Sequence, residues 1–208
     1  MVIIFDNDGT LFDMSSIVDK AFSETLKNIG EPEHTKAFIR SQIGAPIKKI
    51  ALNLVSDKSK VDDFLKWSLK CEIEQIEKTG RLYPDVLEML KRLKQAGHTL
   101  ALCSNGRQAY MAPIIDKFKT RQYFDIVWHK HYGVSKKRAA KIINKKLNRG
   151  EKTIFIGDRK EDIEAGNDNG FISIGCTYGF GKKSEFEDAD YIANDVNMVS
   201  NTILRLGE

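Results

Sequence analysis

From Thr99 onward the chain alternates short apolar runs with amphipathic stretches. Thr99-Leu100-Ala101-Leu102-Cys103, Asp125-Ile126-Val127-Trp128 and Thr153-Ile154-Phe155-Ile156 come in turn, followed by weaker runs at Ile172-Ser173-Ile174 and Tyr191-Ile192-Ala193. One further run, Val2-Ile3-Ile4-Phe5, stands alone at the N-terminus. Continuous rather than alternating apolarity suits strands covered on both faces, which is the pattern of a parallel sheet. Between the runs, the spacing predicts a helix from Pro84 to Ala96, with Pro84 in its first turn, Val86, Leu87, Leu90 and Leu93 as its stripe, and Gly97 ending it. A second helix is predicted behind Ser135 as cap, with Ala139, Ile142, Ile143 and Leu147 facing inward. The pattern is that of an α/β core.

The interval from Met14 to Gly80 breaks the alternation. It holds no convincing strand, only helical periodicity: Ile17, Val18, Ala21, Phe22, Leu26 and Ile29 form one stripe, and Val61, Phe64, Leu65, Leu69, Ile73 and Ile76 another. The expected organisation is an α/β core of residues 1–13 and 81–208 with an all-helical cap, residues 14–80, inserted after the first strand. Ligands in open α/β sheets sit at the carboxyl ends of the strands, so such a cap would hang over that mouth as a lid. The competing reading is a helical segment packed on the flank of the core.

At 208 residues, with 41% hydrophobic and 30% charged residues, the chain has the composition of a globular protein able to bury a core. A formal charge of +4 is compatible with anionic substrates. Basic residues concentrate at Lys136, Lys137, Arg138, Lys141, Lys145, Lys146 and Arg149, but helical spacing spreads them around a solvated surface poor in aromatics, so no nucleic-acid partner is expected. Cys71, Cys103 and Cys176 are odd in number and widely spaced, which reads as reduced, buried thiols. The first residues carry no basic leader, and no segment reaches the roughly 18 apolar residues of a membrane span. A cytoplasmic protein without membrane attachment is expected, and its oligomeric state is open.

The chemistry concentrates where the apolar runs end. Phe5 is followed by Asp6-Asn7-Asp8-Gly9-Thr10-Leu11-Phe12-Asp13, Cys103 by Ser104-Asn105-Gly106, and Ile156 by Gly157-Asp158-Arg159-Lys160-Glu161-Asp162. Carboxylates at i and i+2 point to opposite sides of an extended chain. Asp6 and Asp8 can therefore serve one centre only if the chain turns, or if one contributes its backbone carbonyl. Gly9 permits the turn. Hard oxygen ligands and a carboxylate nucleophile would then share one loop.

In these motifs the chain resembles the haloacid dehalogenase superfamily of hydrolases, and within it the phosphoglycolate phosphatase-like branch. Asp6 to Asp13 match the family's first motif, Ser104 its second, Lys136 its third with Lys137 as the alternative, and Gly157, Asp158 and Asp162 its fourth. Leu82-Tyr83-Pro84 and Thr177-Tyr178-Gly179-Phe180-Gly181 are also similar to that branch. The resemblance implies a Rossmannoid α/β core with a parallel sheet and a helical cap. It implies a Mg²⁺-dependent phosphatase acting on a small phosphorylated metabolite such as a phosphoglycolate-like monoester. In that scheme Asp6 is the nucleophile that becomes an aspartyl-phosphate, and Asp8 is the acid and base. Ser104, Lys136 and the amides of Gly9, Thr10 and Asn105 hold phosphoryl oxygens. Asp6, Asp158 and the carbonyl of Asp8 hold the metal, with Asp162 in support. Asp8 favours phosphoryl transfer over dehalogenation, whose leaving group needs no proton.

Arg40 and Gly44-Ala45-Pro46 are candidates for touching the leaving group. A sugar phosphomutase of the same fold is the alternative enzyme, with His34 as the cap histidine it would need. A catalytically silent binding module is the alternative of another class, although no catalytic carboxylate is missing.

Overall fold

Val2–Phe5 forms strand β1, the first element of the computed structural model, which describes residues 1–131 and 133–207. A 3-10 turn at Met14–Ser16 leads into helices α1 (Val18–Asn28), α2 (Lys36–Ser41), α3 (Ile47–Leu54) and α4 (Val61–Thr79). Next come α5 (Val86–Gln95), β2 (Thr99–Cys103), α6 (Gln108–Lys117), β3 (Ile126–Trp128), α7 (Lys136–Leu147) and β4 (Thr153–Gly157). The chain ends with α8 (Lys160–Asn167), β5 (Ile172–Cys176), β6 (Tyr191–Ala193) and α9 (Val196–Leu206). All five strand pairings are parallel, in the order β3-β2-β1-β4-β5-β6.

β1 lies inside the sheet between β2 and β4, which is why its four residues are all apolar and all buried. Ile3 and Phe5 join the larger core, shared with α5, α6, α9 and the helices between β1 and β2. Val2 and Ile4 turn to the opposite face and pack with Ala139, Ala140 and Ile143 of α7 and Ala165 of α8. The expected parallel α/β architecture is present, and all the apolar runs read as strands form strands.

Helical faces differ from expectation in three places, one being α7, whose buried face is Lys136, Ala139, Ala140 and Ile143 with Ile142 and Leu147 only partly buried. Pro84 stands ahead of α5 rather than in its first turn, because Asp85 adopts a left-handed conformation (φ 66°) and the helix starts at Val86. The inward face of α5 is Val86, Met89, Leu90 and Leu93, so Leu87 is left exposed. On α4, Leu65, Leu69 and Ile73 are only partly buried, and the buried face is Val61, Phe64, Ser68, Cys71, Glu72, Gln75 and Ile76. That helix turns a partly polar face inward. It packs on α1 through Phe22 and Phe64, whose rings meet edge to face at 5.6 Å.

All three cysteines are buried and free. Among the described residues no helix is long and apolar enough to cross a membrane.

Phe155 is fully buried in the core on the α7 and α8 side of the sheet. Its replacement by alanine is expected to cost about 3–5 kcal/mol. Urea unfolding of Phe155→Ala beside the parent should show that loss as a lower midpoint with an unchanged slope.

Candidate active site

The sheet register brings the candidate residues together. Phe5 pairs with Leu102 on one side and Ile156 on the other, so β1, β2 and β4 end side by side. Asp6 leaves β1, Ser104 follows β2, and Asp158 follows β4. Lys136 is the first residue of α7, held there by Ser135, whose hydroxyl accepts the Arg138 amide at 3.3 Å. Asp162 sits in the first turn of α8 and accepts the Arg159 amide at 3.0 Å. A carboxylate there is favoured by the helix dipole.

Lys136 joins two of these carboxylates. Its Nζ lies 2.8 Å from Asp6 Oδ1 and 2.6 Å from Asp162 Oδ1, and its side chain is 5% exposed. Lys137, the alternative, points away and pairs with Asp168 at 2.8 Å on the surface. Asp6, Asp158 and Asp162 each offer an oxygen within 4.8 Å of one another. Both oxygens of Asp162 are engaged, by Lys136 and by the Arg159 amide. Asp158 differs: Oδ2 accepts the Phe180 amide at 2.7 Å, while Oδ1 is buried with no hydrogen-bond partner among the described residues. A buried, unpartnered carboxylate oxygen among further carboxylates fits a hard cation such as Mg²⁺.

Burial dominates the electrostatics. It raises the Asp6 carboxyl against the opposing pull of Lys136, and the nearby Asp8 charge adds to the rise. It lifts Asp158 well above the usual carboxylate range, helped by repulsion from Asp6 and Asp162. Asp162 is pushed up to about 7 by burial, although Lys136 counteracts. Burial disfavours the Lys136 charge, but Asp162 and Asp6 outweigh it and hold the ammonium well above its ordinary value.

The loop after Asp6 is organised by Asn7. Its carbonyl accepts the amides of Thr10, Leu11 and Phe12 at 3.2, 2.9 and 2.9 Å, and its side-chain amide donates to Asp8 Oδ1 at 2.9 Å. The Tyr110 hydroxyl on α6 donates to the same Asp8 oxygen at 2.8 Å. Asp8 is raised to about 6 by burial, with the Tyr110 and Asn7 hydrogen bonds opposing. Asp13 closes the loop by capping the 3-10 turn through Ser15 and pairing with Arg81 at 2.7 Å.

The expectation that the Gly9 and Thr10 amides meet phosphoryl oxygens is corrected. The Gly9 amide donates to Phe12 O at 2.9 Å and that of Thr10 to Asn7 O, so both are engaged inside the turn. Gly9 is required for another reason: its φ is +83°, and an added Cβ would collide with the Asp158 carboxylate. Gly179 also approaches that carboxylate closely. The adjacent Tyr178 donates to Thr10 O at 2.9 Å, and its ring meets Tyr83 at 4.8 Å. The two aromatic motifs flanking the core thus brace the loop.

Asp6, Asp8, Ser104, Asn105 and Lys136 line one pocket of about 60 Å³, together with Gly44, Ala45, Glu72, Arg107, Tyr110 and Arg159. Arg40 is elsewhere, paired with Asp19 at 2.6 Å and half-exposed. His34 is also outside the pocket lining, its Nε2 2.7 Å from Leu54 O. Glu72, Arg107, Tyr110 and Arg159 were not expected from sequence. Glu72 occupies a helical position that reads as solvent-facing, and Tyr110 lies on a helix interrupted by Pro113, whose period is weak.

A family profile described as haloacid dehalogenase-like hydrolase matches residues 3–176. The chain is 26% identical to the phosphoglycolate phosphatase of Vibrio cholerae serotype O1, over 98% of this chain and 96% of that protein. It is 28% identical to the phosphoglycolate phosphatase of Aquifex aeolicus, over 87% and 86% respectively. The crystal structure of a predicted phosphoglycolate phosphatase from Haemophilus somnus superposes with a TM-score of 0.87 at 22% identity, covering 100% of this chain and 97% of that one.

The raised carboxylates have a measurable consequence without metal. A carboxyl whose folded pKa exceeds its unfolded value stabilises the fold below about pH 4 and loses that contribution as pH rises through the folded value. With Asp8 at about 6 and Asp162 at about 7, chelator-treated protein should melt at a lower temperature at pH 8 than at pH 5. The raised Lys136 stays charged across that window and does not contribute to the slope. Adding a divalent cation at pH 8 should restore the midpoint. Asp158→Asn should flatten the pH dependence and remove the response to cation, each kcal/mol appearing as about 2–4 °C.

Proposed function

The chain belongs to the haloacid dehalogenase-like hydrolase family, and we propose that it is a Mg²⁺-dependent phosphatase that cleaves a small, phosphoglycolate-sized monoester through an aspartyl-phosphate on Asp6. The observation that carries this reading is the placing of two carboxylates in different settings on one loop. Burial raises both, but Asp6 lies 2.8 Å from the Lys136 ammonium, which opposes its rise, while Asp8 is raised to about 6 and oriented by Tyr110 and Asn7. A nucleophile must be ionised, and a general acid works best with a pKa near the operating pH.

Asp6 attacks phosphorus in line as the ester oxygen leaves. Asp8 donates its proton to that oxygen, then takes a proton from the water that hydrolyses the aspartyl-phosphate. Ser104 Oγ, Lys136 Nζ and the Asn105 amide hold phosphoryl oxygens. Asp162 keeps Lys136 in place. Asp6, Asp158 and the Asp8 carbonyl would hold Mg²⁺, which supplies neutralising charge to the phosphoryl group. Residues 14–80 act as a cap whose Gly44-Ala45 turn closes the pocket and limits it to small esters. The presence of Asp8 favours an ester leaving group, which needs a proton, over a halide, which does not.

Phosphate release from a panel of monoesters with Mg²⁺ tests the reading. Chelation should stop release and Mg²⁺ should restore it. Asp6→Asn should lower kcat by about 10³-fold or more. Survival of phosphate release in that variant would rule out Asp6 as nucleophile. Asp8→Asn should cost about 10²- to 10⁴-fold on alkyl esters, and less on p-nitrophenyl phosphate, whose leaving group departs without a proton.

A further inference from the structure

Arg159 stands between two spaces. Its side chain lines the pocket that holds Asp6 and Asp8, and it also lines a neighbouring groove of about 430 Å³ between the α2–α3 turn and the start of α8. The turn residues Ile43, Gly44 and Ala45 border both spaces as well. The guanidinium fastens the two parts of this partition together, because Arg159 Nη1 donates to Ile43 O. Gly44 shows how closely they pack. Its φ is +92°, and an added Cβ would lie 2.9 Å from Arg159 Nη1 and 3.1 Å from Arg159 Cγ.

The core fixes this side chain from its root to its tip. The Arg159 amide donates to Asp162 Oδ2 at 3.0 Å, at the start of α8. Nε donates to Glu185 Oε2 at 3.0 Å. Glu185 is itself held in place, since Oε2 also accepts the Lys160 amide and Oε1 the Lys182 amide, each at 3.0 Å. A planar guanidinium tied at two nitrogens keeps one direction, which a flexible ammonium would not match.

Resting on the phosphatase reading, we infer that Arg159 sets specificity by length: its side chain is the partition that confines the leaving group to the pocket, and the groove behind it is where a longer leaving group would extend. Ser104 and Lys136, which hold the phosphoryl end, line the pocket and are not part of the groove lining. The phosphoryl end of the ester is thus fixed, and only its far end can meet the partition. Truncating Arg159 removes the dividing side chain and its bond to Ile43 O together, while the backbone amide keeps its bond to Asp162. The two spaces then become one.

Propyl phosphate and hexyl phosphate, each assayed with Mg²⁺ for kcat and KM, test the partition. Their leaving oxygens are alike in basicity, so the ratio of their kcat/KM values reads length alone. The parent protein should favour propyl phosphate by about 10- to 100-fold. In Arg159→Ala that preference should fall to about threefold or less, mainly through KM. Lys117→Met is the control. Lys117 ties α6 to the end of α4 through the carbonyls of Ile76 and Glu77, outside the pocket lining. Its loss loosens the helices without opening the partition and should leave the preference intact. A ratio between two substrates of one preparation does not depend on how much of the variant is folded. No preference in the parent, an unchanged preference in Arg159→Ala, or an equal fall in Lys117→Met would overturn the inference; the last would trace selectivity to the looseness of the helices as a whole. Release from neither ester nor from p-nitrophenyl phosphate would overturn the phosphatase reading itself and the inference with it.

Discussion

The Lys136 ammonium, buried between Asp6 and Asp162, is the interaction on which the rest of the site depends. Three carboxylates end within a few ångströms of one another at the carboxyl end of a sheet whose central strand β1 is wholly apolar. Desolvation and mutual repulsion would leave such a cluster protonated or pushed apart. One lysine, fixed at the start of α7 by the Ser135 cap, supplies the only positive charge paired directly with Asp6 among the described residues. Asp158 has no cationic side chain in ion-pair contact among the described residues and is lifted well above the usual carboxylate range. The proposed divalent cation would supply the missing positive charge there.

Basic side chains of the core also hold the helices between β1 and β2 to the mouth of the sheet. Arg159, next to Asp158, donates to the carbonyl of Ile43 and to Glu185. Arg107 reaches Leu65 O, and Lys117 reaches the carbonyls of Ile76 and Glu77 at the end of α4. The contacts to Ile43, Leu65, Ile76 and Glu77 use backbone acceptors, which do not depend on the side chains they belong to. The two tethers nearest the centre, Arg107 and Arg159, also line the pocket, so the position of the helices and the shape of the pocket are set by the same residues.

Much of this was legible in the sequence, for identifiable reasons. Strands covered on both faces leave continuous apolar runs, and polar residues placed directly after those runs are forced to one end of a parallel sheet. That reasoning located Asp6, Ser104 and Asp158. It could also place Lys136 at a helix start, but only the structure separates it from Lys137, because neighbouring helical residues differ by about 100° in direction. What failed was reading α4 by hydrophobicity. Its inward face carries Ser68, Glu72 and Gln75, polar residues at helical spacing that look solvent-facing when no partner is known. The Gly9 and Thr10 amides were misassigned for a related reason: backbone donors are anonymous in a sequence, and the tight turn after Asp8 consumes them internally.

The carbonyl of Asn7, which gathers three amides of the loop, gives position 7 two separable jobs. Every amino acid has that carbonyl, so the path of the loop and the location of Asp6 do not depend on the identity of the side chain. The amide group that orients Asp8 is asparagine's own. Exchange at this position can therefore retune Asp8 while Asp6 stays put, and sequence drift within such a loop has room to adjust the electrostatics of the site without rebuilding architecture.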